Sequence, residues 1–63
     1  MIMANLTTKE LSGIEDQLKS EQNMICKCKM FAENAQDSAL KAKFGEIAQK
    51  HQQHYDKLFS LLG

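Results

Sequence analysis

The chain has 63 residues, with eight lysines and eight acidic residues that bring its formal net charge to zero. A chain of this length forms one small domain, residues 1–63, and buries only about three-fifths of the surface that it exposes when unfolded, so we expect it to need a disulfide, a metal ion or a partner chain. Because charges of both signs are interleaved, no basic face is available for nucleic acid or anionic lipid. The absence of proline and the abundance of good helix formers predict an all-α fold.

The first helix is predicted to run from about residue 8 to residue 35. Thr7, followed three residues later by Glu10, has the pattern of a capping box at its start. Cys26 and Cys28 lie about 200° apart around this helix, which prevents a disulfide or a shared metal ion between them. We expect Cys28 to be a buried apolar residue and Cys26 to be a reduced thiol on the surface.

The second helix is predicted to run from residue 38 to about residue 62. Asp37 is a good N-cap for it. Two helices joined by two or three residues can only lie side by side and antiparallel, which predicts a helical hairpin.

Apolar positions spaced alternately by three and four residues predict one buried stripe on each helix. The first stripe comprises Leu11, Ile14, Leu18, Glu21, Ile25, Cys28, Ala32 and Ala35, and the second comprises Leu40, Phe44, Ile47, His51, His54, Leu58 and Leu61. The two stripes match in one antiparallel register, in which the position numbers of facing residues have a constant sum. This register predicts that Glu21 faces His51, with His54 one turn along, so that all the polar members share one layer.

A further apolar row flanks each stripe and widens it beyond what a hairpin needs. It comprises Met24 and Phe31 on the first helix, and Ala48, Tyr55 and Leu62 on the second. Because a hairpin alone would leave this row exposed, we expect a protein interface there. The simplest closed assembly is a two-fold homodimer with four helices around one core.

The polar layer has two interpretations, because a carboxylate or a charged imidazole in an apolar core is costly unless it is paired. Glu21, His51 and His54 could be metal ligands at the dimer core, and this donor set suits zinc, iron, manganese or nickel. Alternatively, Glu21 pairs with the histidines in a buried hydrogen-bonded network that specifies register and partner number.

The segment from Leu18 to Leu62 resembles half of a ferritin-like or rubrerythrin-type bundle. Glu21 corresponds to the lone inward Glu of the family's first helix, and His54 corresponds to the histidine of its Glu-x-x-His motif. His51 stands where the family has Glu. Because an imidazole cannot bridge two ions as that carboxylate does, this replacement counts against di-iron oxygen chemistry but is compatible with other metal binding.

The chain also resembles the spore coat protein F family, over nearly its whole length. The resemblance lies in residues 6–11 (LTTKEL), 18–23 (LKSEQN) and 47–55 (IAQKHQQHY). It implies a structural or assembly protein without catalysis, with other spore coat proteins as partners, and the apolar rows add the expectation of a homodimer. A metal-binding ferritin-like protein with an intersubunit Glu/His site is the alternative, and an adaptor whose exposed helix face binds another coat or regulatory protein is a third possibility.

No phosphate-binding loop, nucleophile elbow or Ser/His/Asp arrangement is present, so the sequence does not predict an enzyme. Residues 1–4 are too short for the apolar region of a signal peptide, and no later apolar run approaches the roughly 20 residues that cross a bilayer. We therefore expect a soluble protein that is cytoplasmic or spore-associated, is not secreted, and has neither a membrane nor a nucleic acid as a partner.

Overall fold

A computed structural model describes residues 6–63, which form two α-helices: α1 (Thr8–Asn34) and α2 (Ser38–Ser60). No strand occurs among these residues, which confirms the all-α class. The predicted ends at 35 and 62 lie slightly beyond the last helical residues, Asn34 and Ser60. Residues 1–5, predicted to be a short leader, lie outside the described residues.

Helix α1 begins at the predicted capping box. The backbone N–H of Glu10 donates to the Thr7 hydroxyl over 3.0 Å, and the Thr7 N–H donates to the Glu10 carboxylate over 3.0 Å. These two bonds satisfy N–H groups that have no partner within the helix. The bond from the Thr7 backbone, together with the Thr7 side chain, lowers the pKa of Glu10.

Helix α2 begins at the predicted N-cap. The Asp37 carboxylate accepts hydrogen bonds from the N–H groups of Ala39 and Leu40, at 2.7 and 3.3 Å. An ionised carboxylate at this position also interacts favourably with the positive end of the helix dipole.

The end of α1 is tied to the start of α2 by Lys41. Its ammonium group donates to the carbonyl oxygens of Ala32 and Glu33, at 2.9 and 3.4 Å. The last carbonyls of a helix have no intrahelical partner and carry partial negative charge, so a lysine from the neighbouring helix stabilises them. This contact links the two helices beside their short connection.

The hairpin is a single layer of two helices. Its dimensions are 47 × 19 × 10 Å, so it is long and thin, with one helix beside the other. The buried apolar residues are Leu18, Ile25, Cys28 and Ala48, and no side chain in the described part of the chain is completely buried. Domains are usually built from two packed layers. This hairpin is one layer, so both of its faces are uncovered.

The predicted register is confirmed at the middle of the hairpin, where His51 on α2 contacts Glu21 on α1. Burial along the first stripe is highest from Leu18 to Cys28 and decreases toward the ends. On the second stripe the prediction of burial is wrong for His54, whose side chain is exposed because it lies on the edge of the contact between the two helices. Leu11 and Leu40, which lie near the two ends of the hairpin, are 38% and 51% exposed.

The flanking row behaves differently at its individual positions. Met24, Phe31 and Leu62 are exposed, as expected for a hairpin without a partner, and Tyr55 is half-buried. For Ala48 the expectation is wrong, because its side chain is buried within the single hairpin. A methyl group extends so little from its helix that the facing helix and longer neighbouring side chains cover it.

Candidate metal centre

Glu21 lies near the middle of α1, on the buried stripe between Leu18 and Ile25. It is 8% exposed and is the buried charged residue of the described chain. Helical spacing puts its side chain toward α2, where a carboxylate needs polar partners to offset the loss of water.

His51 provides the shortest contact to this carboxylate. Its Nδ1 atom lies 2.6 Å from Oε1 of Glu21. A carboxylate can only accept, so at this distance a proton on Nδ1 lies between the two groups, with the imidazole as the donor. Nε2 of a neutral His51 then carries a free lone pair, which is the form of histidine that binds metal ions.

The second carboxylate oxygen of Glu21 has two neighbours. The side-chain amide of Gln17 donates to Oε2 over 3.3 Å, and Nδ1 of His54 lies 3.7 Å from the same oxygen. The second distance is too long for a hydrogen bond, although it is an ion-pair distance when the imidazole is protonated. The His54 side chain is 61% exposed, compared with 23% for His51.

The pKa of Glu21 is lowered from its ordinary value. The hydrogen bond from His51 is the main cause, the Gln17 bond and the positive charge on the two imidazoles act in the same direction, and burial opposes them. A carboxylate that stays ionised is the form that pairs with a protonated imidazole, and it is also the form that binds a cation.

The three predicted ligands therefore converge. One ligand atom each from Glu21, His51 and His54 can be chosen so that all three lie within 4.8 Å of one another. Donor atoms around a tetrahedral ion at 2.0–2.2 Å lie about 3.4 Å apart. Coordination of one ion by all three residues would therefore bring these donor atoms closer together than they lie in the hairpin.

The donor set fits a divalent transition metal ion better than calcium or magnesium. Two imidazole nitrogens and one carboxylate oxygen are the ligands of many zinc sites, whereas calcium and magnesium prefer oxygen ligands alone. Three protein ligands leave at least one coordination position open. The rings of His51 and His54 are perpendicular, with centroids 5.9 Å apart.

An open groove lies beside this cluster and has a volume of about 540 Å³. It is lined by Glu21, His54, Lys57, Leu58, Ser60 and Leu61. On α1, Met24 and Phe31 lie on the same side, about 60–80° around the helix from Glu21 in the direction away from Gln22. We call this side the His54 face and define it as Met24, Phe31, Ile47, His54, Leu58 and Leu61.

The opposite side of the layer is more polar. Two shallow depressions on it share Lys29 and Gln52. We call this side the Gln52 face and define it as Gln22, Cys26, Lys29, Gly45, Gln49 and Gln52. Tyr55 lines one of these depressions, and its ring stacks on Phe59 toward the end of α2, with centroids 6.0 Å apart.

Ala48 and Tyr55 from the predicted flanking row are thus on the Gln52 side, opposite Met24 and Phe31. The sequence pattern predicted one row, and the antiparallel geometry of the hairpin separates these residues onto two faces. Cys26 is exposed and Cys28 is buried, as predicted.

Gln17 is the member of the site that the sequence analysis missed. It lies four residues before Glu21, where helical neighbours meet, and this spacing was the available signal.

Within residues 6–63, neither helix is both long enough and apolar enough to cross a bilayer. Comparison with known proteins finds no matching family model, no matching curated protein and no matching solved structure. The resemblance to ferritin-like and spore coat F proteins therefore stays a prediction.

Proposed function

We propose that the chain is a non-catalytic assembly protein whose functional form is a homodimer, a ferritin-like four-helix bundle made from two hairpins. The observation that carries this proposal is the open layer. Large apolar side chains such as Met24, Phe31 and Leu40 are 39–52% exposed on a hairpin in which no described side chain is completely buried. A second layer would cover this surface.

The polar cluster also supports a two-layer bundle. Glu21 and His51 lie close to the middle of their helices, so a two-fold dimer that aligns the helix centres brings both clusters into its interior. A polar group at the centre of an apolar bundle can specify register and number of chains, although at a cost in stability.

Unfolding at different protein concentrations tests the dimer. Association of two chains in the folded state makes the midpoint of thermal unfolding rise with concentration. We expect this rise when helical circular dichroism is followed at about 1 and about 100 μM. A midpoint that is independent of concentration would contradict the proposal.

The predicted partners follow from the resemblance to spore coat F proteins, and we propose the coat layer of a spore as the place of assembly. Fractionation of sporulating cells that express a tagged chain tests this placement. Recovery with the insoluble coat material is the expected result. Recovery in the soluble fraction alone would contradict the coat placement and would leave the dimer unaffected.

Metal binding is the second candidate function, and the convergence of Glu21, His51 and His54 within 4.8 Å favours it. In this proposal each chain binds one divalent transition metal ion, which joins α1 to α2 and neutralises the buried carboxylate.

Cobalt(II) reports on such a site through the visible absorption of its tetrahedral complexes. We expect the untagged chain to bind one cobalt ion per chain and His54→Gln to lose this binding. Gln53→Ala is a suitable control, because Gln53 is the exposed neighbour of His54 and is not part of the cluster. Absence of tetrahedral cobalt absorption in the wild-type chain would contradict metal binding.

A further inference from the structure

The two faces of the hairpin differ, and this difference identifies the surface that a second chain covers. We propose that the partner chain packs on the His54 face and that binding of a divalent metal ion by Glu21, His51 and His54 tightens the dimer. This inference rests on the proposed function, and it adds which face is covered and what regulates the association.

The His54 face has apolar side chains on both helices. On α2 it has Ile47, His54 and Leu61 at seven-residue intervals, and both apolar members are half-buried by the single hairpin. On α1 it has Met24 and Phe31, which are 39% and 52% exposed. An apolar seam with this repeat is the pattern by which helices pack against one another in bundles.

The Gln52 face lacks this pattern at the level of the cluster. Gln22, Lys29, Gln49 and Gln52 are exposed there, and Gly45 has no side chain to contribute. Covering these groups would remove water from amides and an ammonium group without supplying partners. Covering the His54 face therefore costs less free energy of hydration than covering the Gln52 face.

A second copy of the chain fits the size of this face. Helix α1 has 27 residues and is about 40 Å long, and two helices side by side are about 20 Å wide, so the face covers about 800 Å². That area is what each partner contributes to a standard protein interface. A two-fold dimer pairs the face with itself, and a net charge of zero presents no overall repulsion to such pairing.

Lysines border this face on α2. Lys43, Lys50 and Lys57 follow one another at seven-residue intervals, next to Phe44, His51 and Leu58. Their aliphatic stems can cover apolar surface at the edge of the interface while the ammonium groups stay in water. This arrangement gives the interface an apolar centre and a charged rim.

His54 links the interface to the metal site. Its side chain is 61% exposed in the single hairpin and lies on the face that the partner would cover. An imidazole that enters an apolar interface without a partner loses the free energy of hydration. A bound ion takes the imidazole lone pair and removes that cost, so the ion binds the dimer more tightly than the monomer. By linkage, it strengthens dimerisation by the same factor.

A matched pair of variants on α1 tests which face is covered. Met24→Lys adds a charge to the His54 face, and Gln22→Lys adds the same charge to the Gln52 face two residues away. We expect sedimentation equilibrium to show at least a tenfold weaker dimer for Met24→Lys and a near wild-type dimer for Gln22→Lys. Dissociation accompanied by unfolding of Met24→Lys would support the assignment equally, because the measurement is of the dimer.

The opposite ranking of the two variants, equal weakening, or no weakening of either would overturn the assignment of the face. In each of these cases a dimeric wild-type chain would leave the proposed function intact. A wild-type chain that stays monomeric would overturn both.

Dimer dissociation constants measured with zinc and with a chelator test the coupling. Zinc should tighten the wild-type dimer by about 5- to 150-fold, the usual range for coupled binding, and should have no such effect on His54→Gln. A wild-type dissociation constant that is the same in zinc and in chelator would overturn the coupling. An equal response from His54→Gln would overturn the role of this histidine.

Discussion

Glu21 belongs both to the candidate metal site and to the buried stripe of α1. It is 8% exposed, and its two carboxylate oxygens have different partners: His51 at 2.6 Å on one and Gln17 at 3.3 Å on the other. Both oxygens therefore retain polar partners after burial, which offsets the loss of water. The carboxylate depends on a residue of the other helix, so the cluster ties α1 to α2.

The pH dependence of stability should carry the signature of this carboxylate. The pKa of Glu21 is lowered in the folded state, so its contribution is fully present above the ordinary value of 4.5 and is lost as the pH falls through the lower folded value. Chemical unfolding followed from pH 7 to pH 3 should show a steeper loss of stability for the wild type than for Glu21→Gln. Parallel pH profiles for the two proteins would contradict this role of Glu21.

Removal of His51 should be more harmful than removal of the whole pair. His51→Leu leaves the buried carboxylate of Glu21 without its closest partner, so we expect a lower free energy of unfolding than that of the wild type. The double variant Glu21→Leu/His51→Leu replaces both groups by apolar ones and should recover that loss or exceed wild-type stability in metal-free buffer. Urea unfolding measures both. A double variant less stable than His51→Leu would contradict this pairing.

At the scale of the helices, Gly45 is a position where a substitution should stabilise the protein. A Cβ atom added at Gly45 would meet nothing within 4 Å. Alanine is favoured over glycine in a helix interior by about 1 kcal/mol, so Gly45→Ala should raise the free energy of unfolding by about that amount. Gly45 lies on the Gln52 face, outside the proposed interface, so the dimer should persist.

Ala42 offers the converse control for this prediction. It is an exposed position of the same helix, and Ala42→Gly should lower the free energy of unfolding by about 1 kcal/mol. Urea unfolding of both variants at one protein concentration gives the comparison. A destabilised Gly45→Ala protein would show that this position is covered, and it would count against an open Gln52 face.

Much of this helical architecture could be predicted from the sequence, because local interactions determine it. The Thr7–Glu10 capping box and the Asp37 N-cap are short-range patterns, and both occur as predicted. The constant spacing of the two stripes predicted the register that brings Glu21 to His51. Periodicity gives the angular position of each residue on its own helix, and this suffices to find the facing stripes.

The remaining features depend on how the two helices are arranged in three dimensions. Met24 and Tyr55 were predicted to lie in one flanking row, although antiparallel pairing puts them on opposite faces of the layer. Ala48 was predicted to be exposed with them, but it is buried, because burial depends on side-chain length as well as on position. Within the site, the convergence of three ligand residues was predicted, whereas the exposure of His54 and the contact from Gln17 required coordinates.

At the scale of the whole molecule, the hairpin is one layer with one apolar and one more polar face. Domains are usually built from two packed layers, and in the proposed dimer a two-fold copy would supply the second layer with the same surface. The Glu21 cluster would then lie inside the bundle, where it could hold an ion or specify the pairing. The dimer is therefore the claim on which the proposed assembly function and the assignment of the interface depend.

Native mass spectrometry of the untagged wild-type chain tests this claim most directly, because it counts chains and ions in one measurement. At micromolar concentration we predict a species of twice the 7.1 kDa chain mass, with one zinc ion per chain when zinc is supplied. A 7.1 kDa monomer that remains the main species under these conditions would contradict the account.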